Sequence, residues 1–205
     1  MSVQTAAKAS SVKTKGERTR AAILDEALRL VSKAGLDGLT IGTLADATGM
    51  SKSGLFAHFG SRDELLLAVL AHGQAQFGEV VFQPAMAKPR GLPRLRAMFV
   101  NWLDWTESAE LPGGCPMIGG AAEFDDKPGP VRDMLAGGQR TWIETLKRTV
   151  RQAVDEGQLP AGTDPEQIAF EMFGIALVVH HHRRLLGYPK ARARALAALD
   201  KLLYR

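Results

Sequence analysis

Apolar residues recur at three- and four-residue intervals along almost the whole chain, and no stretch alternates convincingly with a period of two. That pattern predicts helices and no sheet, an all-α fold. Ile23, Ala27, Leu30, Val31 and Ala34 predict a first helix over residues 17–33, stopped at Gly35. Thr40 is placed to cap a short helix over 41–48, and Gly49-Met50 makes a tight connection. Ser51 caps a third helix reaching Phe59. Ser61 and Glu64, three apart, form a capping box. It opens a fourth helix that carries Leu65, Leu66, Val69 and Leu70 and runs on toward Phe82. Three prolines and a glycine within 84–93 predict a linker or domain junction. Further helices are expected over 92–108, 115–124, 130–156, 165–186 and 190–203, the fourth of these opening with Asp164 as cap and Pro165 in first position.

Composition narrows the class. With 205 residues, 45% of them hydrophobic, the chain has material for a real core. Its one cysteine, Cys115, excludes an intramolecular disulfide and a multi-cysteine metal site. No apolar run approaches the roughly 20 residues of a membrane span, and no apolar segment marks the N-terminus as a secretory signal. The expectation is a cytoplasmic protein with no membrane partner. Charge then changes the picture. The formal net charge is +4, and Lys8, Lys13, Lys15, Arg18 and Arg20 against Glu17 place the same excess in the first 20 residues. Residues 1–16, rich in Ser, Thr, Lys and Ala, are expected to be a disordered basic arm. Such an arm either attracts a polyanion by counterion release or serves as a solvated tail.

Function is concentrated in TIGTLADATGMSKSGLFAHFGSRDEL, residues 40–65. Two short helices joined through a glycine describe a helix-turn-helix. Ala45 is small where the second helix must approach, Gly49 suits a positive φ, and Met50, Leu55 and Phe59 supply core contacts. Lys52, Ser53, Gly54, Phe56, Ala57 and His58 remain for the other faces, small and polar near the helix start, as entry into a major groove requires. With the following HF-x-S-R-D-x-L segment, this stretch resembles the TetR (tetracycline-repressor-like) family of bacterial transcription regulators over about residues 17–72. The resemblance implies a helix-turn-helix DNA-binding domain at 17–72. It implies that Thr40, Lys52, Ser53, His58 and Arg62 face phosphates or bases, with Ser51 and Gly54 at the same surface. Most members have tyrosine where Phe56 stands; without the hydroxyl, a stacking or thymine-methyl contact is left for that ring.

For residues 73–205 the resemblance implies a helical ligand-binding and dimerisation domain whose last two helices pair across a twofold axis. A homodimer then binds a palindromic operator and is released by a small-molecule effector. Phe99, Trp102, Trp105, Met117, Phe124, Trp142, Phe170, Met172 and Phe173 lie on helices expected to surround a cavity, and as a group they favour an apolar or aromatic effector. Cys115, at the opening of a helix and next to Pro116, has two readings. As a thiol of lowered pKa at a helix N-terminus it would sense electrophiles or oxidants, as in some members of one TetR subgroup; as a buried free cysteine it packs. Successive residues His180, His181 and His182 point about 100° apart on a helix and cannot share one ion, so no metal is expected. No nucleophile elbow, H-E-x-x-H or phosphate loop is present, so neither an enzyme nor a cofactor is expected; an all-α ligand-binding enzyme is the weaker alternative.

Overall fold

The computed structural model describes residues 14–204. The arm expected over residues 1–16 therefore falls mostly outside the described residues, but its last three residues are ordered chain. Thr14 caps α1 (Lys15–Ala34) in a full capping box with Glu17, two residues earlier than the apolar spacing predicts. α2 (Ile41–Thr48) and α3 (Lys52–Phe59) follow, joined at Gly49, whose φ of 67° and ψ of 17° lie in the left-handed region. α4 (Arg62–Phe77) opens on Ser61, which accepts the Glu64 N–H. Leu44, Leu55, Leu65, Leu66, Val69 and Leu70 are completely buried where these helices meet α1.

The predicted junction at Pro84 is not a break. α4 continues through a π-helical turn (Gly78–Phe82) into α5 (Gln83–Met86), a single helical run from Arg62 to Met86. Proline ends an α-helix because it lacks an N–H and its ring crowds the preceding turn. Here the wider π turn precedes it, and Asn101 Nδ2 donates to the Val81 carbonyl at 3.0 Å. The chain breaks only at residues 87–91. The Arg62–Met86 run is also apolar and long enough to cross a membrane, with a mean hydropathy of 1.4 in its most apolar window. In the fold its apolar face packs on α1, α6, α7 and α8.

Beyond it stand α6 (Leu92–Thr106), α7 (Pro116–Phe124), α8 (Pro130–Asp155), α9 (Pro165–Arg184) and α10 (Ala191–Leu203). Every described element is helical. α8 is the longest, 26 residues, and touches α4, α6, α7 and α9. α9 and α10 pack on one another and make no extensive helix-to-helix contact with α1–α3; the end of α9 reaches α1 through the loop at residues 112–114. One continuous core runs from Ile23 to Leu203.

Candidate nucleic-acid interface and effector cavity

α2 and α3 have eight residues each, too few to persist alone, so local caps and the α1–α4 platform must hold them. Thr40 and Thr43 cap reciprocally: Thr40 Oγ1 accepts the Thr43 N–H at 3.0 Å, and Thr43 Oγ1 accepts the Thr40 N–H at 2.9 Å. Ser51 Oγ accepts the Gly54 N–H at 3.1 Å. Leu55 and Phe59 turn inward, which leaves Lys52, Ser53, Phe56 and Ala57 exposed and Gly54 and His58 half-buried. Phe56 is 51% exposed, an apolar ring on an open surface, so it is not part of the core. The Lys52 side chain folds over the start of α2: a β-carbon on Gly42 would lie 3.9 Å from Nζ and 3.5 Å from Thr40 Oγ1. A hydroxyl, an ammonium and the first free N–H groups of α2 thus converge, the combination that holds an anion at a helix N-terminus.

Arg62 is engaged differently from the expectation of a free phosphate grip. Its Nε donates to the Leu39 carbonyl at 3.4 Å, and Nη2 donates to the Leu36 and Asp37 carbonyls and the Asp37 carboxylate, each at 3.3 Å. The guanidinium pins the α1–α2 turn and leaves Nη1 for any other partner. The same turn is held from α7. Glu123 accepts the N–H groups of Leu36 and Asp37 at 3.1 and 2.9 Å, and Lys127 pairs with the Asp37 carboxylate. The hydrogen bond from Lys127, then that from Arg62, holds the Asp37 carboxyl below its ordinary value. These contacts are 86 and more residues apart in sequence, and nothing in the spacing of the chain announces them.

A cavity of about 610 Å³ lies between α4, the π turn, α6, α7, α8 and α9. Phe77, Phe82, Trp102, Trp142 and Phe173 form its aromatic walls. Trp142 meets Phe77 edge to face with centroids 4.9 Å apart, and Trp102 meets Trp142 at 5.6 Å. Cys115, Met117, Ile118 and Met134 complete the apolar lining, with Gly137 and Gly138 on α8. Gln74, Gln139, Thr141 and Thr145 are its polar members.

Five of the eight ligand-binding residues expected from sequence line this cavity: Trp102, Cys115, Met117, Trp142 and Phe173. Phe99, Trp105 and Phe124 do not. Phe99 is wholly buried in the core, and Trp105 is buried edge-on to Phe77, its indole N–H pointing to Cys115 Sγ at 3.4 Å. Phe124, the last residue of α7, is buried with the Lys127 ammonium over its ring. Of the other aromatic and methionine candidates, Met172 is core and Phe170 faces outward, 73% exposed. Sequence reasoning missed the other ten lining residues, among them Gln74, Phe77 and Phe82. Residues five apart lie about 140° apart on an α-helix, so Phe77 and Phe82 do not read as one face. The π turn between them brings both to the cavity.

Burial pushes the Cys115 thiol up, against the lowering by its hydrogen bonds with Trp105, Ile118 and Met117. Of the two readings of Cys115, the packed thiol is the one this burial favours, because desolvation outweighs the hydrogen bonds at the helix N-terminus. His180 packs on the Gly114 loop, where a β-carbon on Gly114 would come within 2.6 Å of its Nε2, and burial lowers its pKa. His182 turns to Tyr188 instead, ring centroids 5.3 Å apart. Among the described residues no group of three His, Cys, Asp or Glu side chains is arranged to hold a metal ion.

Comparison with known proteins now bears on this geometry. Residues 23–69 match the model of the bacterial regulatory proteins of the tetR family, and residues 91–199 match the tetracyclin repressor-like C-terminal domain. The chain belongs to the TetR family. The HTH-type transcriptional regulator AcrR of Shigella flexneri is 30% identical over 169 residues, 81% of this chain and 78% of that one. Among solved structures, a TetR regulator from Chloroflexus aurantiacus superposes with a TM-score of 0.84 at 23% identity, over 93% of this chain and 96% of that one. AibR, solved with isovaleryl coenzyme A and operator DNA, superposes with a TM-score of 0.72 at 25% identity, over 90% and 98%. Like its TetR relatives, which are transcription regulators rather than enzymes, this chain is a DNA-binding transcription regulator with an N-terminal helix-turn-helix domain and a C-terminal helical domain.

Proposed function

We propose that this TetR-family regulator is a repressor that binds a palindromic operator as a homodimer and is released by a small apolar or aromatic effector. One observation carries the reading: the elements that wall the cavity also hold the reading head. α4 lines the cavity with Gln74 and Phe77 and, nearer its start, buries Leu65 and Leu66 where it packs on α1 and α3. α7 lines it with Met117 and Ile118 and, one to two turns on, clamps the α1–α2 turn through Glu123. A ligand that displaces either helix repositions α2 and α3, a shift between DNA-competent and incompetent arrangements. By linkage the operator weakens effector binding by the factor that effector weakens operator binding. On this reading residues 17–72 are the DNA-binding unit and 73–205 the effector and dimerisation unit, the boundary running through α4, in a cytoplasmic protein.

Thr40, Ser51, Lys52, Ser53, Gly54, Phe56 and His58 form the DNA-facing surface, with Lys52 and the start of α2 on phosphate. Arg62 acts chiefly by fixing the α1–α2 turn. The dimer face is the outer side of the last two helices, α9 and α10; on α9 and the segment between them Phe170, Leu177, Val178, Leu185 and Tyr188 are exposed. A contiguous apolar surface of this kind on a soluble helix is suited to a second copy.

The test is binding of the purified protein to genomic DNA fragments by electrophoretic shift and footprinting across a salt series. A protected palindrome and a steep salt dependence are expected. Lys52→Ala should weaken binding to all sequences and lower the salt slope by about one. Absence of binding to any fragment at low salt overturns the proposal.

A further inference from the structure

Lys52, Ser53, Phe56 and Ala57 are the exposed residues of α3, and their spacing puts them on one face of the helix. Reading a base pair by hydrogen bonds calls for two donors or acceptors held together on one side chain, as on Arg, Asn, Gln, Asp or Glu, and α3 carries none of these. Its ammonium, on Lys52, folds back over the start of α2 beside Gly42. Ser53 Oγ lies 3.2 Å from Ser51 Oγ, and a lone hydroxyl discriminates poorly because it bonds donors and acceptors alike. His58 is half-buried, its ring tilted against Phe59 with centroids 6.1 Å apart. The centre of the face is therefore apolar: the Phe56 ring, 51% exposed, with the Ala57 methyl beside it in sequence.

A phenyl ring has no group to bond a phosphate, and it gains most by leaving water against another apolar surface. In the major groove the apolar group that differs between base pairs is the 5-methyl of thymine. We infer that α3 recognises a thymine in its half-site through that methyl group, seated on the Phe56 ring, and that Phe56 is a specificity-determining residue of this regulator. The inference rests on α3 as the DNA-facing surface and adds the base feature that it reads. Lys52 and the start of α2 then supply affinity for any sequence, and Phe56 supplies the choice among sequences. The contact depends on the methyl alone. Thymine and 5-methylcytosine satisfy it; uracil and cytosine do not. Phe56 lies outside the core that Leu55 and Phe59 form, so its replacement leaves the fold of the head intact.

The test uses the full chain and a duplex that it selects from a random pool, with affinities measured at one fixed salt concentration. Each thymine of the protected site is replaced in turn by uracil. At one position the loss should be about fourfold for each half-site that carries it, the value of one buried methyl. Cytosine paired with guanine at that position should bind no better than uracil does, and 5-methylcytosine should recover about fourfold over cytosine. Phe56→Ala should erase both differences, whereas Lys52→Ala should leave them in place and weaken every duplex alike. The inference is overturned if no uracil substitution costs affinity, or if the cost is the same in Phe56→Ala as in the parent. A uniform loss on all sequences in Phe56→Ala would assign the ring to the DNA backbone or to stacking and overturn it too. Should Phe56→Ala and Lys52→Ala both leave affinity and footprint unchanged, or should no duplex be selected, the DNA-facing assignment of α3 fails as well. A loss in Lys52→Ala without any response to the methyl strikes the thymine reading alone.

Discussion

From Thr14 to Ser61 every helix begins on a hydroxyl: Thr14, Thr40, Ser51 and Ser61 each accept an N–H from the first turn of the helix that follows. From Gly91 onward only Asp164 does so, while α6, α7, α8 and α10 start at Gly91, Cys115, Gly129 and Lys190 without a side-chain cap. The reading head contains two helices of eight residues, which need their termini satisfied locally. Apart from the nine-residue α7, the C-terminal helices run from 13 to 26 residues and draw their stability from packing along their length. Packing leaves room for a void; caps do not. A head whose shape is set residue by residue presents a constant surface to DNA, whereas a body held by long contacts can enclose an empty cavity and change with what fills it.

Core truncation is the strongest way to break this contrast. Leu65 is completely buried on α4, which packs on α1 and α3, so Leu65→Ala should cost about 2–5 kcal/mol in denaturant unfolding. Met134→Ala on the cavity wall should cost clearly less, because that side chain already borders empty space. Equal losses would show that the cavity is collapsed in solution and the contrast false.

Smaller in effect is the clamp between the two regions. Glu123→Ala removes the acceptor of the Leu36 and Asp37 N–H groups and should cost about 1.5–3 kcal/mol, with faster amide exchange at both positions. Glu123→Gln keeps one oxygen and should fall between. Operator affinity should fall with it, since the α1–α2 turn sets α2; unchanged affinity would separate the clamp from DNA binding.

The smallest effect is electrostatic. The Asp37 carboxyl is held below its ordinary value of 3.8 by Lys127 and Arg62. A lowered folded-state pKa contributes stability above the unfolded value, and that contribution is lost as pH falls through the folded value. Asp37 is exposed and solvent screens the pairs, so the contribution is a few tenths of a kcal/mol. Asp37→Asn should destabilise slightly at pH 7 and become indistinguishable from the parent once the pH has fallen through the lowered folded-state value. A difference that persists at low pH would assign the effect to packing.

The helix-turn-helix was legible because each part is local: a cap and its N–H three residues apart, Gly49 at a left-handed turn, Leu55 and Phe59 one turn apart. The C-terminal elements were legible too, since a long amphipathic period survives small errors at its ends. The cavity wall was read only in part. Trp102, Trp142 and Phe173 share its lining with Phe77 and Phe82, which a regular helix would separate, and Phe99 and Phe124 resemble wall residues by type alone. No apolar pattern distinguishes a side chain facing a void from one facing a neighbour, because both are removed from water.

By itself the sequence determined the all-α fold, the caps and turns of the reading head and the exposed polar start of α3, because those depend on contacts within one or two helical turns. Only the tertiary structure decided that Pro84 continues a helix, that Arg62 and Glu123 converge on one turn, that burial pushes the Cys115 thiol up, and that among the described residues no charged side chain lines the cavity. Each of these depends on groups distant in the chain, through desolvation, a shared carboxylate or a π turn supported from α6. Their energies arise only when the chain has closed on itself.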